Sequence, residues 1–409
     1  MGMQVVYVVA DFDLAIEGAA SRASLQAQAL ARRGAQVRVL AGTGAAADIE
    51  NARATGLAVE LIPGWAPESP LELMSMPDRV GRELARADLV HVHMGQPLFG
   101  DLARRLCGRV NVWIQLDDWE AVCPRGDRAP ADGRIACPKG GQTGACGRCL
   151  APAVDEQTQG EVARAVAVRA EELAAELRCA GRVLVPSRTH LVRLAEHVEL
   201  EPSRVRIVSP DQGLTPVAMG QRSPWRGDGP LRLLYAGPRR TSAGLLDVVR
   251  GLSGLPEGRV QLVLVGQQVE RGFDDRLRTL SGNLALEFAG SSQAHLRRQA
   301  ARSHLAVVPD RVAQGYPLGV DRAMALGLPV LACHAAAAME RYAGEGLEVL
   351  EARDADAWTE RIEVFIRRPH ELAQLAASLP TAIPGPNETA ERLMSLYLNH
   401  SGPNRNRAS

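Results

Sequence analysis

The sequence predicts an α/β protein of two Rossmann-like, doubly wound halves facing across a cleft. Three observations carry this. Short apolar runs rich in β-branched residues alternate with helical segments through the first half, a Pro- and Gly-rich stretch interrupts them, and the alternation then restarts. At 409 residues the chain also exceeds the size at which one hydrophobic core keeps growing, so two domains are expected.

In the first half, Gln4 to Ala10 (QVVYVVA) reads as a strand, Ser24 to Arg33 as a helix closed by Gly34, and VRVL from Val37 as the next strand. LAVELI from Leu57, a helix over Asp78 to Ala87, DLVHVHM, another helix and VNVWIQL continue the pattern. A segment rich in Ala, Glu and Arg from Glu161 to Cys179 is helical, and RVLVP from Arg182 follows as a strand. Residues 1–208 form the first domain, and residues 209–230, crowded with Pro, Gly, Gln and Asp, form the linker. The second domain, residues 231–382, reads LRLLYAG, a helix over Leu245 to Leu252, VQLVLVG, a helix near Asp275, LALEFAG, HLRRQAARS, LAVVP, and RAMALG before LPVLA. Residues 383–409 supply a C-terminal helix and tail. Ligands of open α/β sheets bind beyond the carboxyl ends of strands, so the loops after Gly237, Gly266, Gly290 and Pro309 should line the working cleft.

Composition excludes several classes. Lys+Arg and Asp+Glu are both 47, which gives no field for a polyanion and argues against nucleic acid as the partner. No apolar run reaches the roughly 20 residues that cross a bilayer, so no transmembrane segment is expected and membrane contact would be peripheral. Met1 to Ala10 lacks a basic region followed by a signal core, so a cytoplasmic location is expected. None of the glycine loops spells G-x-G-x-x-G, which weakens a nicotinamide-dependent oxidoreductase.

The order of these segments resembles the retaining, nucleotide-sugar-dependent glycosyltransferases of the two-domain GT-B fold (the family 4/1-like group). In the first half the matching phrases are a loop containing Gly18, DLVHVH, WIQLDDWEAVCPRG and VLVPSRTHLVRL; in the second they are LLYAGPRRTSAG, LVLVG, FAG, LAVVP and GYPLGVDRAMALGLPVLA. The resemblance implies an acceptor-side first domain, a donor domain after the linker, and donor contacts at Gly237, Arg239, Arg240, Gln314, Gly315, Tyr316, Leu318 and Arg322. It also implies a reaction centre near Asp117 and Asp118, where the family's histidine–aspartate pair would align.

The chain departs from that family at the positions bearing charge. The family's arginine and lysine, which neutralise the leaving diphosphate, fall on Pro238 and Ala243; its two glutamates fall on Gln314 and Arg322; its histidine falls on Asp117. A leaving diphosphate needs preorganised positive charge and donors worth several kcal/mol of barrier. Arg239 and Arg240 follow the lost arginine and suit phosphate. Helix amino termini after Gly244 and Gly315 add backbone donors. Gln314 can still bond a sugar hydroxyl. Arg322 can contact phosphate or pair with Asp321. His91 and His93, two apart on a strand, read as satisfied strand-end histidines.

Cys123, Cys137, Cys146 and Cys149 stand as C-x13-C-x8-C-x2-C within the segment 120–150, which has almost no large apolar residue. Four thiolates complete a tetrahedral zinc shell, with an iron–sulfur cluster as the second choice and disulfides or free thiols as the bland alternative. A subgroup of the resembled family carries a similar insert. The site would be structural. Cys107, Cys179 and Cys333 read as core residues. The function expected is transfer of a sugar from a nucleotide diphosphate sugar to an unidentified acceptor. The alternative is a catalytically silent protein that scaffolds a second glycosyltransferase.

Overall fold

The computed structural model describes residues 3–14, 19–65, 69, 71–95, 98–126, 128, 137, 143–210, 213–217, 225–312, 314–351 and 354–400. Gly18 therefore lies outside the described residues, as do most of the cysteine-bearing segment between Cys123 and Cys146, part of the stretch 209–230, and the tail after His400. The chain divides into two compact units, whose described residues are 3–14, 19–210 and 386–400 in the first and 213–385 in the second.

The first unit holds β1 (Gln4–Phe12), β2 (Gln36–Gly44), β3 (Ala58–Leu61), β4 (Leu73–Met74), β5 (Leu89–His93), β6 (Leu98–Phe99), β7 (Asn111–Gln115), β8 (Arg182–Val185) and β9 (Val205–Ile207). Seven of these make one parallel sheet in the order β3-β2-β1-β5-β7-β8-β9, while β4 and β6 pair separately. The register sets Val5 between Val37 and Leu89. Alternate residues of a strand point to opposite faces, and both faces are covered here. Val6 and Val8 therefore enter one core with Leu40, Val90 and Ile114, whereas Val5, Tyr7 and Val9 enter the other with Ala27, Leu30 and Trp113. This double burial is why the strands read as unbroken apolar runs.

The helix expected from Glu161 begins at Glu156, because Asp155 caps it by accepting a hydrogen bond from the Thr158 backbone N–H at 3.0 Å. The C-terminal helix Pro386–His400 belongs to the first unit, burying Ala390, Leu393 and Tyr397. The Tyr397 hydroxyl bonds the Tyr7 hydroxyl at 2.9 Å and His91 Nδ1 at 2.5 Å.

The second unit holds β10 (Leu231–Ala236), β11 (Val260–Val265), β12 (Ala285–Ala289), β13 (Leu305–Val308), β14 (Val330–Ala332) and β15 (Leu347–Val349), all parallel, in the order β12-β11-β10-β13-β14-β15. Leu231, Leu233 and Tyr235 face one core and Leu234 the other. Leu214 and Trp225, both from the stretch read as linker, are buried in these two cores. The strand order reverses between β10 and β13, so the loops leaving those strands flank the topological switch point, where ligands of such sheets bind. No helix among the described residues is long and apolar enough to cross a membrane.

Candidate functional site

In the second unit, the loop from Gly237 to Gly244 leaves β10 and is pressed against its neighbours. Gly244 has φ +74°, and a Cβ there would sit 1.8 Å from the Pro309 carbonyl oxygen at the end of β13. At Gly266, after β11, φ is +139°, and a Cβ would lie 2.1 Å from the Gly237 carbonyl oxygen. Only glycine allows these strand-end turns to pack backbone on backbone. Gly244 then caps the helix Leu245–Leu252, whose first backbone N–H groups face the end of the loop.

The two arginines of this loop have separate fates. Arg239 is buried; its Nε and Nη2 donate to the two carboxylate oxygens of Asp274 at 2.7 and 3.0 Å, and Nη1 donates to the Gly266 carbonyl. Its guanidinium is thus consumed in joining the loops after β10 and β11 to the helix Phe273–Leu280. Arg240 is half-buried, and its Nε has no hydrogen-bond partner. Close to it lies Asp310, whose carboxyl burial pushes up to about 7 against the pull of the Arg240 charge. Sequence reasoning passed over Asp310, since a lone aspartate after a strand carries no pattern.

On the other side of the switch point, Gln314 is half-buried and Gly315 and Tyr316 are buried ahead of the helix Leu318–Ala325. The Tyr316 hydroxyl donates to Asp321 at 2.9 Å, and Arg341 ion-pairs with the same carboxylate while lying 5.0 Å from the Tyr316 ring centre. Asp321 keeps Arg341 protonated, and the Arg322 charge acts on the same carboxylate more weakly than Arg341 does. Arg322 is buried and lines a narrow apolar pocket with Leu234, Ala306, Val308 and Leu326. Gly237, Arg240, Asp310 and Gln314 are therefore grouped at the loops around one switch point, while Arg239 and Tyr316 are engaged within the protein.

In the first unit, Asp117 and Asp118 follow β7 and are both buried. Asp117 accepts from Gln115 Nε2 at 2.6 Å and bonds His93 Nδ1 at 3.0 Å, and His93 Nε2 lies 3.0 Å from Gln26 Oε1. Burial opposes its charge, but the His93 hydrogen bond and the Arg22 cation outweigh burial and hold the Asp117 carboxyl well below the usual carboxylate range. Asp118 pairs with Arg22 at 2.8 Å and accepts from the Glu120 N–H at 2.9 Å; burial nevertheless leaves its carboxyl above the usual range. Arg22 and Gln26, on the helix Ala19–Arg32, had no signal in the linear sequence. His190 was also missed: it is buried against Trp119 with ring centres 4.6 Å apart, neither ring nitrogen has a hydrogen-bond partner, and burial pushes it down to about 3. His93, bonded at both ring nitrogens, is a satisfied strand-end histidine. A hollow of about 520 Å³ lies elsewhere, along edge strand β9, lined by apolar residues including Leu191, Val205 and Leu396.

Among the described residues the four cysteines of the 120–150 segment are in no disulfide, and no group of three or more His, Cys, Asp or Glu side chains is disposed to hold a metal ion. The expected closed tetrahedral shell is not formed by these side chains. The thiols are still neighbours: burial pushes Cys146 up to about 11, and Cys137, Cys123 and Cys149 add to the rise. Cys333 is buried as a core residue, but Cys107 is exposed and Cys179 half-buried, which corrects the core reading for those two. Both stand at helix ends, where the packed helical surface stops.

Residues 232–368, nearly the whole of the second unit's sheet, match the family model described as glycosyl transferases group 1. Over these residues the second unit is similar to the group 1 glycosyltransferases. Solved structures with the fold of the entire chain include an Anabaena protein, Alr3699/HepE, in complex with UDP (14% identity, 97% of this chain and 100% of that one, TM-score 0.64). Two others are WaaG, a glycosyltransferase involved in lipopolysaccharide biosynthesis (16%, 97% and 98%, TM-score 0.60), and a sucrose-phosphate synthase from Thermosynechococcus elongatus (14%, 97% and 99%, TM-score 0.63). At these identities the likeness establishes the GT-B fold. No curated protein matches the sequence. Family match and fold support a transferase, and neither supports the silent-scaffold alternative.

Proposed function

We propose that the protein transfers a sugar from a nucleotide diphosphate sugar to an acceptor hydroxyl, with a uridine nucleotide as the donor. The observation that carries this is the Gly237–Gly244 loop at the switch point, inside the residues matched by the glycosyltransferase model, with a partly unpaired arginine and a helix amino terminus at its end. The choice of uridine rests on the Anabaena structures, which hold UDP and UDP-glucose.

Arg240 and the first-turn N–H groups of the helix Leu245–Leu252 neutralise the diphosphate as it leaves. Gly237 lets the phosphates approach the backbone, and Arg239 holds the loop in place through Asp274. Gln314 bonds a sugar hydroxyl, while Gly315, Tyr316, Leu318 and Arg322 shape the wall behind it. In the first unit, Asp118 orients the acceptor hydroxyl and takes its proton. Asp117, held far below the ordinary range, is a poor base and serves to fix His93 and the strand end. Gly18 belongs to the acceptor-side loop. Cys123, Cys137, Cys146 and Cys149, neighbours that form no closed shell here, are the residues that would hold a structural zinc ion if drawn together around it, and it would order their segment rather than take part in the chemistry.

Calorimetric titration with UDP tests the donor site. Wild type should bind UDP, and Arg240→Ala should bind it roughly 10- to 150-fold more weakly, the loss of a charge-assisted contact of about 1.5–3 kcal/mol. Equal affinity of the two proteins would remove Arg240 from the site, and no UDP binding by wild type would overturn the uridine donor.

A further inference from the structure

Where the Gly237–Gly244 loop meets the end of β13, most of the charge is consumed within the protein. Arg239 is held by Asp274. Glu270 accepts from the Thr241 backbone N–H at 2.9 Å, from the Thr241 hydroxyl at 2.8 Å and from Arg276 at 2.7 Å. Asp247 is taken by Arg311 at 3.1 Å and by Arg250 at 3.5 Å. Arg240 and Asp310 differ: both are half-buried, and among the described residues neither side chain forms a hydrogen bond or an ion pair, with each other or with a third group. Asp310 is fixed against the loop by its two chain neighbours. The Pro309 carbonyl is so close that a Cβ on Gly244 would lie 1.8 Å from it, and the Arg311 N–H donates to the Ser242 carbonyl at 3.1 Å. The Ala243 N–H in turn donates to the Arg240 carbonyl at 3.1 Å, so a single tight turn carries Arg240 and abuts Asp310.

A cation and a carboxyl left uncommitted at one turn cost free energy until something pairs with them. We infer that Asp310 is a sugar-binding residue of the donor site, its carboxyl bonding hydroxyls of the donor's sugar while Arg240 holds the diphosphate beside it. This role rests on the sugar-transfer reading and deepens it: Asp310 supplies the carboxyl that Gln314, four positions later, and Arg322 do not. Sugar hydroxyls donate as well as accept, and a carboxyl answers both, since its oxygens accept and its protonated form also donates. Burial pushes the Asp310 carboxyl up to about 7 against the pull of Arg240, so near neutrality much of it is uncharged and does not repel the diphosphate. The strand-end position suits the task, because β13 borders the switch point and its exit faces the same loop that carries Arg240.

The test titrates the full chain by calorimetry with UDP and with UDP-glucose, UDP-galactose and UDP-N-acetylglucosamine, for wild type, Asp310→Ala and Asp310→Asn. Wild type should bind UDP and at least one of the UDP-sugars. Asp310→Ala should bind that UDP-sugar roughly 5- to 150-fold more weakly, the cost of leaving a hydroxyl without its partner, while affinity for UDP, which lacks the transferred sugar, changes less than about threefold. Asp310→Asn keeps the shape and one acceptor and should show the same selective loss, smaller in size; it carries the comparison if Asp310→Ala does not fold. A folded variant that loses UDP and UDP-sugar by the same factor, or loses neither, would overturn the role of Asp310 and leave the donor reading standing. So would a wild type that binds UDP but none of the three sugars. Wild type that binds neither UDP nor a UDP-sugar would overturn the donor reading itself, and Asp310's role with it.

Discussion

Replacing Arg239 by alanine should damage the second unit's stability far more than its affinity for UDP. The Arg239–Asp274 pair is buried, with side chains only 9% and 13% exposed, and removing the arginine takes two donors from the Asp274 carboxylate and the Nη1 donor from the Gly266 carbonyl. Breaking a buried pair from one side costs about 3–5 kcal/mol, and the slight exposure of Asp274 puts this case near the lower end, at about 3 kcal/mol. For a unit of this size that lowers Tm by roughly 6–12 °C. Arg239→Met combined with Asp274→Leu should recover most of the loss, because an apolar pair leaves no buried charge. The assay is thermal and urea unfolding of the three proteins, with UDP titration of each variant at a temperature where it remains folded. Arg239→Ala with unchanged Tm and UDP affinity reduced more than tenfold would refute the assignment of Arg239 to the scaffold and return it to the phosphates.

Three further outcomes follow from particular residues. Gly244→Ala should destabilise the second unit by roughly 2–4 kcal/mol in a denaturant titration, since the left-handed backbone and the contact with the Pro309 carbonyl both oppose a Cβ; an unchanged midpoint would show that the loop is looser than described. Asp310 is raised to about 7 in the folded protein, so the folded state keeps a proton that the unfolded chain has already released above the ordinary carboxylate range. Stability should therefore fall as pH rises from about 4 through 7, and Asp310→Asn should flatten that slope in pH-dependent unfolding. Elemental analysis should find about one zinc per wild-type chain and little in Cys146→Ser; wild-type protein free of zinc and iron would end the metal assignment.

The central strands were legible because they are buried on both faces and several run into a glycine or proline, so Leu231 to Gly237 or Val260 to Gly266 announces itself as apolar text followed by a stop. The helix start at Glu156 was missed for a local reason, the Asp155 cap, which sits ahead of the apolar periodicity. The sites were harder to read. That an arginine follows Gly237 is visible in the sequence, but which of Arg239 and Arg240 remains available depends on Asp274, 35 positions away from Arg239. Asp117 and Asp118 were identified, whereas Arg22, which bonds Asp118 from 96 positions earlier, and Gln26, which bonds His93 from 67 positions earlier, reach this strand end only through the fold. The same holds for Tyr397, which closes on Tyr7 and His91 from the far end of the chain.

The central claim is sugar transfer from a nucleotide diphosphate donor, and the most direct measurement is release of UDP from a panel of UDP-sugars by the wild-type protein, with Arg240→Ala as the control. The account predicts slow hydrolysis of at least one UDP-sugar without an acceptor, lost in Arg240→Ala. UDP binding without UDP release from any donor, or release unaffected by Arg240→Ala, would contradict it.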